Sequence, residues 1–178
     1  MLTVKHTRLL KLVFSSVIVL LLINLTAKAQ SGIRTNILNI ADKLQKDNQV
    51  HFGYPVGFAG KPETSNKYFK LYKKLKVKAT DQELVELIKS KSALVVVYAF
   101  DILQERNYAG LTNVFLEHAN DTTWFWTASG CTGFVDRVNW FMLRRLKPTE
   151  GNTTSLAKVD YDMYCSRFKK EDQLFTCN

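Results

Sequence analysis

The sequence contains few of the residues that commonly bind metals. Its 178 residues include only three histidines and three cysteines, and the two histidines beyond the N-terminal segment, His51 and His118, stand far apart. No two cysteines have the close spacing of zinc ligands. We therefore predict no metal site, and nothing in the sequence indicates a cofactor. A chain of this length buries enough surface to fold without a metal or a disulfide.

Long apolar segments are also scarce, because the only one runs from Leu12 to Leu25, behind a basic stretch. It is shorter than the about 20 residues that a membrane-spanning helix needs. The sequence Ala27-Lys28-Ala29 follows it and offers the small side chains that signal peptidase accepts. We predict that residues 1–29 are a cleavable signal peptide, with an uncleaved membrane anchor as the alternative. Residues 30–178 then form one domain, exported to the periplasm or the extracellular space.

Removal of this leader lowers the positive charge of the chain. The formal net charge of the full sequence is +9. The leader holds four basic residues and no acidic residue, which leaves +5 for residues 30–178. The four are Lys5, Arg8, Lys11 and Lys28. A moderate charge on an exported domain argues against nucleic acid as a partner.

The spacing of apolar residues predicts an all-α domain of five to seven helices, because the apolar positions recur at helical intervals. The predicted helices cover residues 31–48, 68–79, 81–88, 93–106, 108–119 and 135–146. Residues 50–62 carry several glycines and prolines and predict a loop, and residues 120–132 are a polar and aromatic break. The periodicity of residues 149–178 is too weak to predict their structure.

Local sequence signals indicate where some of these helices begin. Ser65 and Ser92 stand where N-caps are expected. The segment Thr80-Asp81-Gln82-Glu83 matches a capping box, in which the first and last residues satisfy each other's backbone N–H groups. The apolar run 93–100 contains three adjacent valines, which favour a strand. We nevertheless predict an inner helix there, because residues 101–106 continue with good helix formers.

Residues 67–121 resemble a HEAT-like helical repeat. The resemblance is carried by the short helix at 80–87, the link Lys89-Ser90-Lys91-Ser92, the helix at 93–103 and a further outer helix at 111–118. The second of these helices is similar to the Val-x-x-x-Ala-x-x-x-Leu inner helix of such repeats. The chain also resembles small exported Bacteroidetes proteins that carry one such unit. The resemblance implies a protein-binding surface and no catalytic chemistry.

One short motif points to a different function. The segment 129–135, Ser-Gly-Cys-Thr-Gly-Phe-Val, is predicted to open a helix and resembles the cysteine motif of NlpC/P60 papain-like peptidases. That family places its catalytic histidine after the cysteine, whereas here only a permuted arrangement with His51 is available for Cys131. A cell-wall thiol hydrolase using these two residues is the alternative function. The helices predicted over 65–119 leave little room for the sheet that this chemistry needs, so we predict no enzyme and no catalytic residue.

The three cysteines, Cys131, Cys165 and Cys177, all follow the leader. In an oxidising compartment we expect one disulfide and one free thiol. A bond between Cys165 and Cys177 would clip the C-terminal tail, whereas a bond from Cys131 to either would tie the tail to the body. The sequence leaves the three pairings open.

Two clusters are candidate contact surfaces for a partner, which we expect to be another envelope or extracellular protein. The first is a basic helix face made of Lys67, Lys70, Lys73 and Lys74, which would also suit an anionic membrane surface. The second comprises Trp124 and Trp126. The simpler interpretations are a solvated helix face for the lysines and core packing for at least one tryptophan.

Overall fold

Helices make up most of the fold. The computed structural model describes residues 32–53, 65–129, 132–149 and 154–177, and all of these except Gly32 belong to one compact unit, Ile33–Asn178. Seven helices lie within these ranges: α1 (Thr35–Leu44), α2 (Lys67–Lys78), α3 (Asp81–Ile88), α4 (Ala93–Glu105), α5 (Leu111–His118), α6 (Val138–Arg145) and α7 (Lys158–Glu171). The leader predicted at residues 1–29 and the residue Cys131 lie outside the described residues.

A small three-stranded sheet corrects the prediction of an all-α domain. The sheet has the order β1-β2-β3, where β1 is Gln49–Val50, β2 is Trp124–Ser129 and β3 is Thr132–Arg137. Strand β1 runs parallel to β2, and β2 and β3 pair antiparallel as a hairpin. The domain is therefore mostly helical with a small sheet.

The helix predicted at 135–146 begins only at Val138, because the residues before it belong to β3. Within β2, Phe125 and Thr127 are buried while their neighbours Trp124 and Trp126 are exposed. This alternation is the two-residue period of a strand whose two faces have different surroundings. The sequence conceals the period because apolar residues occupy both faces.

Helix α4 is the centre of the core and confirms the helix predicted for the valine-rich run. All residues from Leu94 to Leu103 are buried, Asp101 included. The helix packs against α3 and α6 and also touches β1 and β2. A helix buried on nearly every side accommodates β-branched residues that an exposed helix would disfavour, because its stability comes from packing.

The helix starts were predicted with mixed success. The capping box at α3 is confirmed, with Thr80 N–H donating to Glu83 Oε2 (2.8 Å) and Glu83 N–H donating to Thr80 Oγ1 (3.2 Å). The N-cap of α2 is Asn66 rather than Ser65, because Asn66 Oδ1 accepts the N–H of Tyr68 at 2.7 Å. Ser92 precedes α4 but makes no side-chain capping bond.

Arg34 connects the start of α1 to the start of α3. Its Nε and Nη2 donate to the two carboxylate oxygens of Glu83, each at 2.7 Å, and its backbone N–H donates to the same side chain. Hydrogen bonds from Arg34 and Thr80 hold the pKa of Glu83 well below its usual range, against the opposing effect of burial. The capping box therefore also serves as a tertiary contact.

A disulfide closes the C-terminal region, whose structure the sequence left undefined. The sulfur atoms of Cys165, in α7, and Cys177 lie 2.02 Å apart, and the two Cα atoms lie 5.9 Å apart. This is one of the three pairings that the sequence allowed. Between the two cysteines, Phe168 and Phe175 are buried and meet edge to face at 5.5 Å. Within the described residues, no helix has the length and apolar character needed to cross a membrane.

Candidate functional site

The β2–β3 hairpin presents two different surfaces. On one side, Trp124 pairs across the strands with Arg137, and Trp126 pairs with Val135. We call Trp124, Trp126 and Val135 the tryptophan face. On the other side, the cross-strand pairs Phe125–Asp136 and Thr127–Phe134 border a cavity between the sheet and α6. The register of the hairpin decides which side chains lie on each surface, because a shift of one residue would exchange the two sets.

The tryptophan face is open to solvent. Trp124 is 48% exposed, Trp126 is 53% exposed and Val135 is 39% exposed. The predicted contact residues Trp124 and Trp126 therefore lie on one strand and point to the same side. The third tryptophan, Trp140 on α6, is buried and contacts the ring of Trp124 edge to face at 5.8 Å.

Arg137 holds one part of the tryptophan face in place. Its guanidinium carbon lies 4.3 Å from the ring centre of Trp124 and 4.4 Å from that of Trp140. Its Nη2 donates to Asp172 at 2.7 Å, just beyond the end of α7. A guanidinium between two indole rings makes two cation–π contacts, so Trp124 is held by the body of the domain although half of its surface is exposed.

The cavity on the opposite side is aromatic with a charged rim. Its volume is about 230 Å³, and it is lined by Phe52, Phe125, Thr127, Phe134, Asp136, Phe141, Arg144 and Arg145. Phe52 and Phe141 stack with ring centres 5.6 Å apart, and Phe125 meets Phe141 edge to face at 5.8 Å. We call this cavity the phenylalanine pocket.

Each arginine of the phenylalanine pocket is paired with a buried carboxylate. Asp136 pairs with Arg144, and its Oδ1 accepts the backbone N–H of Arg137 at 2.8 Å. Asp101 pairs with Arg145 at 2.6 Å and accepts the hydroxyl of Tyr72 at 2.6 Å. Both carboxylates are buried, whereas both arginine side chains remain partly exposed.

Burial shifts two pKa values in this cluster. Burial raises the pKa of Asp101 above its ordinary value, although the positive charge of Arg145 and the hydrogen bond from Tyr72 oppose the shift. Burial also raises the pKa of Tyr72, and the neighbouring charge of Asp101 adds to that effect. Tyr72 is therefore a hydrogen-bond donor at neutral pH.

A larger cavity of about 470 Å³ lies beside the disulfide. Its lining includes Lys147, Lys158, Asp162 and Ser166, all of which are exposed. Side chains that point into solvent offer a ligand less enclosure than the rings of the phenylalanine pocket. We therefore regard the smaller cavity as the better candidate site.

The predicted basic face of α2 is exposed, since Lys67, Lys70, Lys73 and Lys74 all reach solvent. The Lys67 ammonium lies 4.7 Å from the ring centre of Tyr68, and that of Lys73 lies 5.9 Å from the ring centre of Phe69. These contacts position two of the lysines. Their role in binding stays a prediction.

His51, the predicted partner of Cys131 in a thiol hydrolase, is buried. Its Nε2 lies 2.9 Å from Asp47 Oδ2, and its ring stacks on Tyr68 at 6.1 Å. The backbone N–H of His51 donates to the hydroxyl of Tyr98 at 2.6 Å. Cys131 lies outside the described residues, so the thiol-hydrolase alternative stays a prediction. His118, the other histidine that follows the predicted leader, lies 3.3 Å from Asp121 through its Nδ1.

The phenylalanine pocket was not predicted from the sequence. Its walls come from the hairpin and α6, which are consecutive in the sequence, and from Phe52, which follows β1 and is far from them along the chain. One signal was present, because Asp101 is the only charged residue in the apolar helix 93–103. A buried charge in such a helix requires a partner. The basic pair Arg144-Arg145 lies at the end of α6, and α6 packs on α4.

No protein-family model matches this chain, and neither does any curated protein or any solved structure.

Proposed function

We propose that this chain is an exported, non-enzymatic module that binds another envelope or extracellular protein through its tryptophan face. The observation that carries the proposal is the exposure of Trp124 and Trp126 beside Val135 on one side of the hairpin. Exposed clusters of large apolar side chains are typical of sites where proteins associate. Tryptophan is also among the residues that contribute most to binding energy at such sites.

The contacts that hold Trp124 support this proposal. Trp124 is held against Arg137 and Trp140 before any partner arrives. Ordering a free side chain at an interface costs about 0.5–1.5 kcal/mol, and this cost is reduced for a ring that is already packed. An exposed ring that is held in one orientation is suited to recognition.

The basic face of α2 suits a partner with negative charge. Lys67, Lys70, Lys73 and Lys74 are all exposed there, and a positive patch accelerates the encounter with an acidic surface. An anionic membrane surface would be attracted by the same lysines.

Export and a HEAT-like origin of the helix pair α3–α4 belong to the same proposal. The Cys165–Cys177 disulfide is of a kind that persists in oxidising compartments. Helix α4 is enclosed on nearly all sides and packs on α3, as the inner helix of a HEAT-like unit would. A single unit of this kind needs other elements to complete its core.

Site-specific photocrosslinking in the native envelope tests the proposal. A photoreactive amino acid replaces Trp126 in one version of the chain and Leu174 in a second version. Leu174 is 81% exposed and lies outside the hairpin, so it serves as the matched control. We expect one defined protein adduct from position 126 and none of the same mass from position 174. The proposal is wrong if position 126 gives no adduct, or if both positions give the same one.

A further inference from the structure

We infer that the phenylalanine pocket is a binding site for a carboxylate carried by a small apolar group. The inference concerns the side of the hairpin opposite the tryptophan face and does not depend on that face binding a protein. It is carried by the shape of the pocket, by the arrangement of its hydrogen-bonding groups and by the charge at its rim.

The walls of the pocket fit one aromatic or short aliphatic group. Four phenylalanine rings surround a volume of about 230 Å³. A dry cavity of roughly 150 Å³ in another protein accommodates benzene, so a six-membered ring with a short side chain fits here. Three of these rings contact one another, since Phe52 stacks on Phe141 and Phe125 meets Phe141 edge to face, so this part of the lining is preformed.

The polar groups of the pocket have spare donors. Asp136 is engaged by Arg144 and by the N–H of Arg137, and Asp101 is engaged by Arg145 and by Tyr72. Each guanidinium has five N–H donors, of which the described residues engage only part. The two guanidinium groups therefore keep N–H donors for a ligand that accepts hydrogen bonds, although the carboxylates also keep acceptor sites.

The charge at the rim favours an anion over a neutral acceptor. The side chain of Arg144 is 28% exposed and that of Arg145 is 37% exposed, whereas the side chain of Asp136 is 5% exposed. The guanidinium groups are thus the more accessible charges of the pocket lining, and Asp136, the carboxylate in that lining, is almost enclosed. Guanidinium and carboxylate form paired, charge-assisted hydrogen bonds that are about twice as strong as neutral ones.

Arg145 is also oriented by the apolar walls. Its guanidinium carbon lies 5.0 Å from the ring centre of Phe141 and 5.6 Å from that of Phe52. The same rings that would hold the apolar group of a ligand therefore position the cation that would hold its carboxylate. The two ends of one small ligand have adjacent, preformed sites.

Two sources share this ligand chemistry. The carboxylate can belong to a free small molecule, or it can be the C-terminus of a peptide whose last residue is apolar. We distinguish them with 3-phenylpropanoate as the small probe and with acetyl-Ala-Ala-Phe as a peptide with a free C-terminal carboxylate. The amides of both probes keep the apolar group and remove the charge.

The test measures binding to the purified protein by ¹H–¹⁵N NMR titration, with the amides of Thr127 and Arg144 as reporters. Affinities of small ligands of this size predict a Kd on the order of a millimolar for 3-phenylpropanoate. We expect its amide to bind at least tenfold more weakly. Tight binding by the free-acid peptide alone assigns the site to a peptide end, and binding of 3-phenylpropanoate with an equal or better Kd assigns it to a small molecule.

Variants on the two sides of the hairpin provide a matched comparison. Phe134, on the pocket side, and Trp126, on the opposite side, are both about half exposed, so neither truncation to alanine opens a buried core. We expect F134A to weaken binding of 3-phenylpropanoate at least fivefold and W126A to change it less than twofold. Arg145→Lys keeps a positive charge beside Asp101 and should weaken binding at least threefold, because lysine lacks the planar fork of donors.

Three results would overturn the inference. The first is that neither free acid causes a saturable chemical-shift change at concentrations up to 20 times the expected Kd. The second is equal affinity for the acids and their amides, which would show that no charge is recognised. The third is an equal loss of affinity in F134A and W126A, since the pocket would then not be the site. Melting temperatures of the variants verify that each is folded.

Discussion

The guanidinium carbon of Arg137 lies 4.3 Å from the ring centre of Trp124. This contact joins the exposed side of the hairpin to the body of the domain, because Arg137 also touches Trp140 and pairs with Asp172. The arrangement explains how a ring with half of its surface in water keeps one orientation. Arg137 therefore both packs the hairpin against the domain and orients Trp124, a ring that we propose to contact a partner.

We predict that Arg137→Gln lowers the free energy of unfolding by about 2–4 kcal/mol. The variant loses two cation–π contacts and a largely buried ion pair, and it leaves Asp172 without its cation. Urea unfolding followed by circular dichroism measures the effect. The control is Lys158→Gln, which breaks an exposed pair with Asp162 and should cost less than about 0.5 kcal/mol. Equal effects in both variants would contradict the anchoring role of Arg137.

We predict that Tyr72→Phe destabilises the fold by about 1.5–3 kcal/mol at neutral pH, since it removes a hydrogen bond to the buried Asp101. The raised pKa of Asp101 means that its ionised form is disfavoured in the folded state, so stability falls as the pH rises through the interval above 3.8, its ordinary value. The Tyr72 hydroxyl reduces that loss because it donates to the ionised form. The difference between wild type and variant should therefore shrink as the pH falls toward 3.8.

The matched control for Tyr72→Phe is Tyr164→Phe, at a partly buried tyrosine whose ring meets that of Phe115 edge to face. Its ring contact survives the substitution, so the change should be below about 0.5 kcal/mol. Unfolding curves of both variants, recorded at several pH values, measure how each stability change depends on pH. A pH-independent effect of Tyr72→Phe would show that Asp101 is not the group involved.

We predict that Glu83→Gln weakens the fold at neutral pH by at least about 1 kcal/mol, because it disturbs a capping box. The pKa of Glu83 is lowered in the folded state, so its contribution is present above the ordinary value of 4.5 and is lost as the pH falls through the folded value. The acid side of the stability curve should therefore be flatter in the variant than in the wild type.

Glu117→Gln is the control for Glu83→Gln, because Glu117 is exposed and its substitution changes the net charge by the same amount. Stability measured from pH 7 downward should follow the wild-type curve in this control. If both variants flatten the acid limb equally, the effect reflects net charge, and the contact between Glu83 and Arg34 has no special part in it.

We predict that the oxidised protein has one free thiol, at Cys131, because Cys165 and Cys177 are bonded to each other. Alkylation under denaturing, non-reducing conditions followed by peptide mass spectrometry should label Cys131 alone. Substituting both bonded cysteines with serine should cost about 2–4 kcal/mol. Labelling of Cys165 or Cys177 would exclude this pairing, and an already oxidised Cys131 would remove most support for the thiol-hydrolase alternative.

The sequence predicted the helices best where local signals define them. The capping box before α3 and the buried helix α4 were both predicted correctly, since they depend on residues close together along the chain. The N-cap of α2 was predicted one position too early because Ser65 and Asn66 are both good caps. Only the structure distinguishes them, through the bond from Tyr68.

The hairpin was not predicted because its buried and exposed positions do not alternate between apolar and polar residues. Trp124, Phe125 and Trp126 are all aromatic, although only the middle one is buried. In β3 the pattern is inverted, since the charged Asp136 is buried while its neighbour Val135 is exposed. The burial of Asp136 is compensated by its ion pair with Arg144 on α6. Local periodicity does not reveal such a pairing between two elements.

The most direct test of the central proposal is the affinity of the crosslinked partner for two variants of this chain. Trp126→Ala removes an exposed ring from the tryptophan face, and Leu174→Ala removes an exposed side chain elsewhere. A hot-spot residue costs about 2 kcal/mol or more when truncated, so we predict that Trp126→Ala weakens binding about thirtyfold and that Leu174→Ala leaves it within twofold. Unchanged affinity in a folded Trp126→Ala variant would contradict the proposal that the tryptophan face binds the partner.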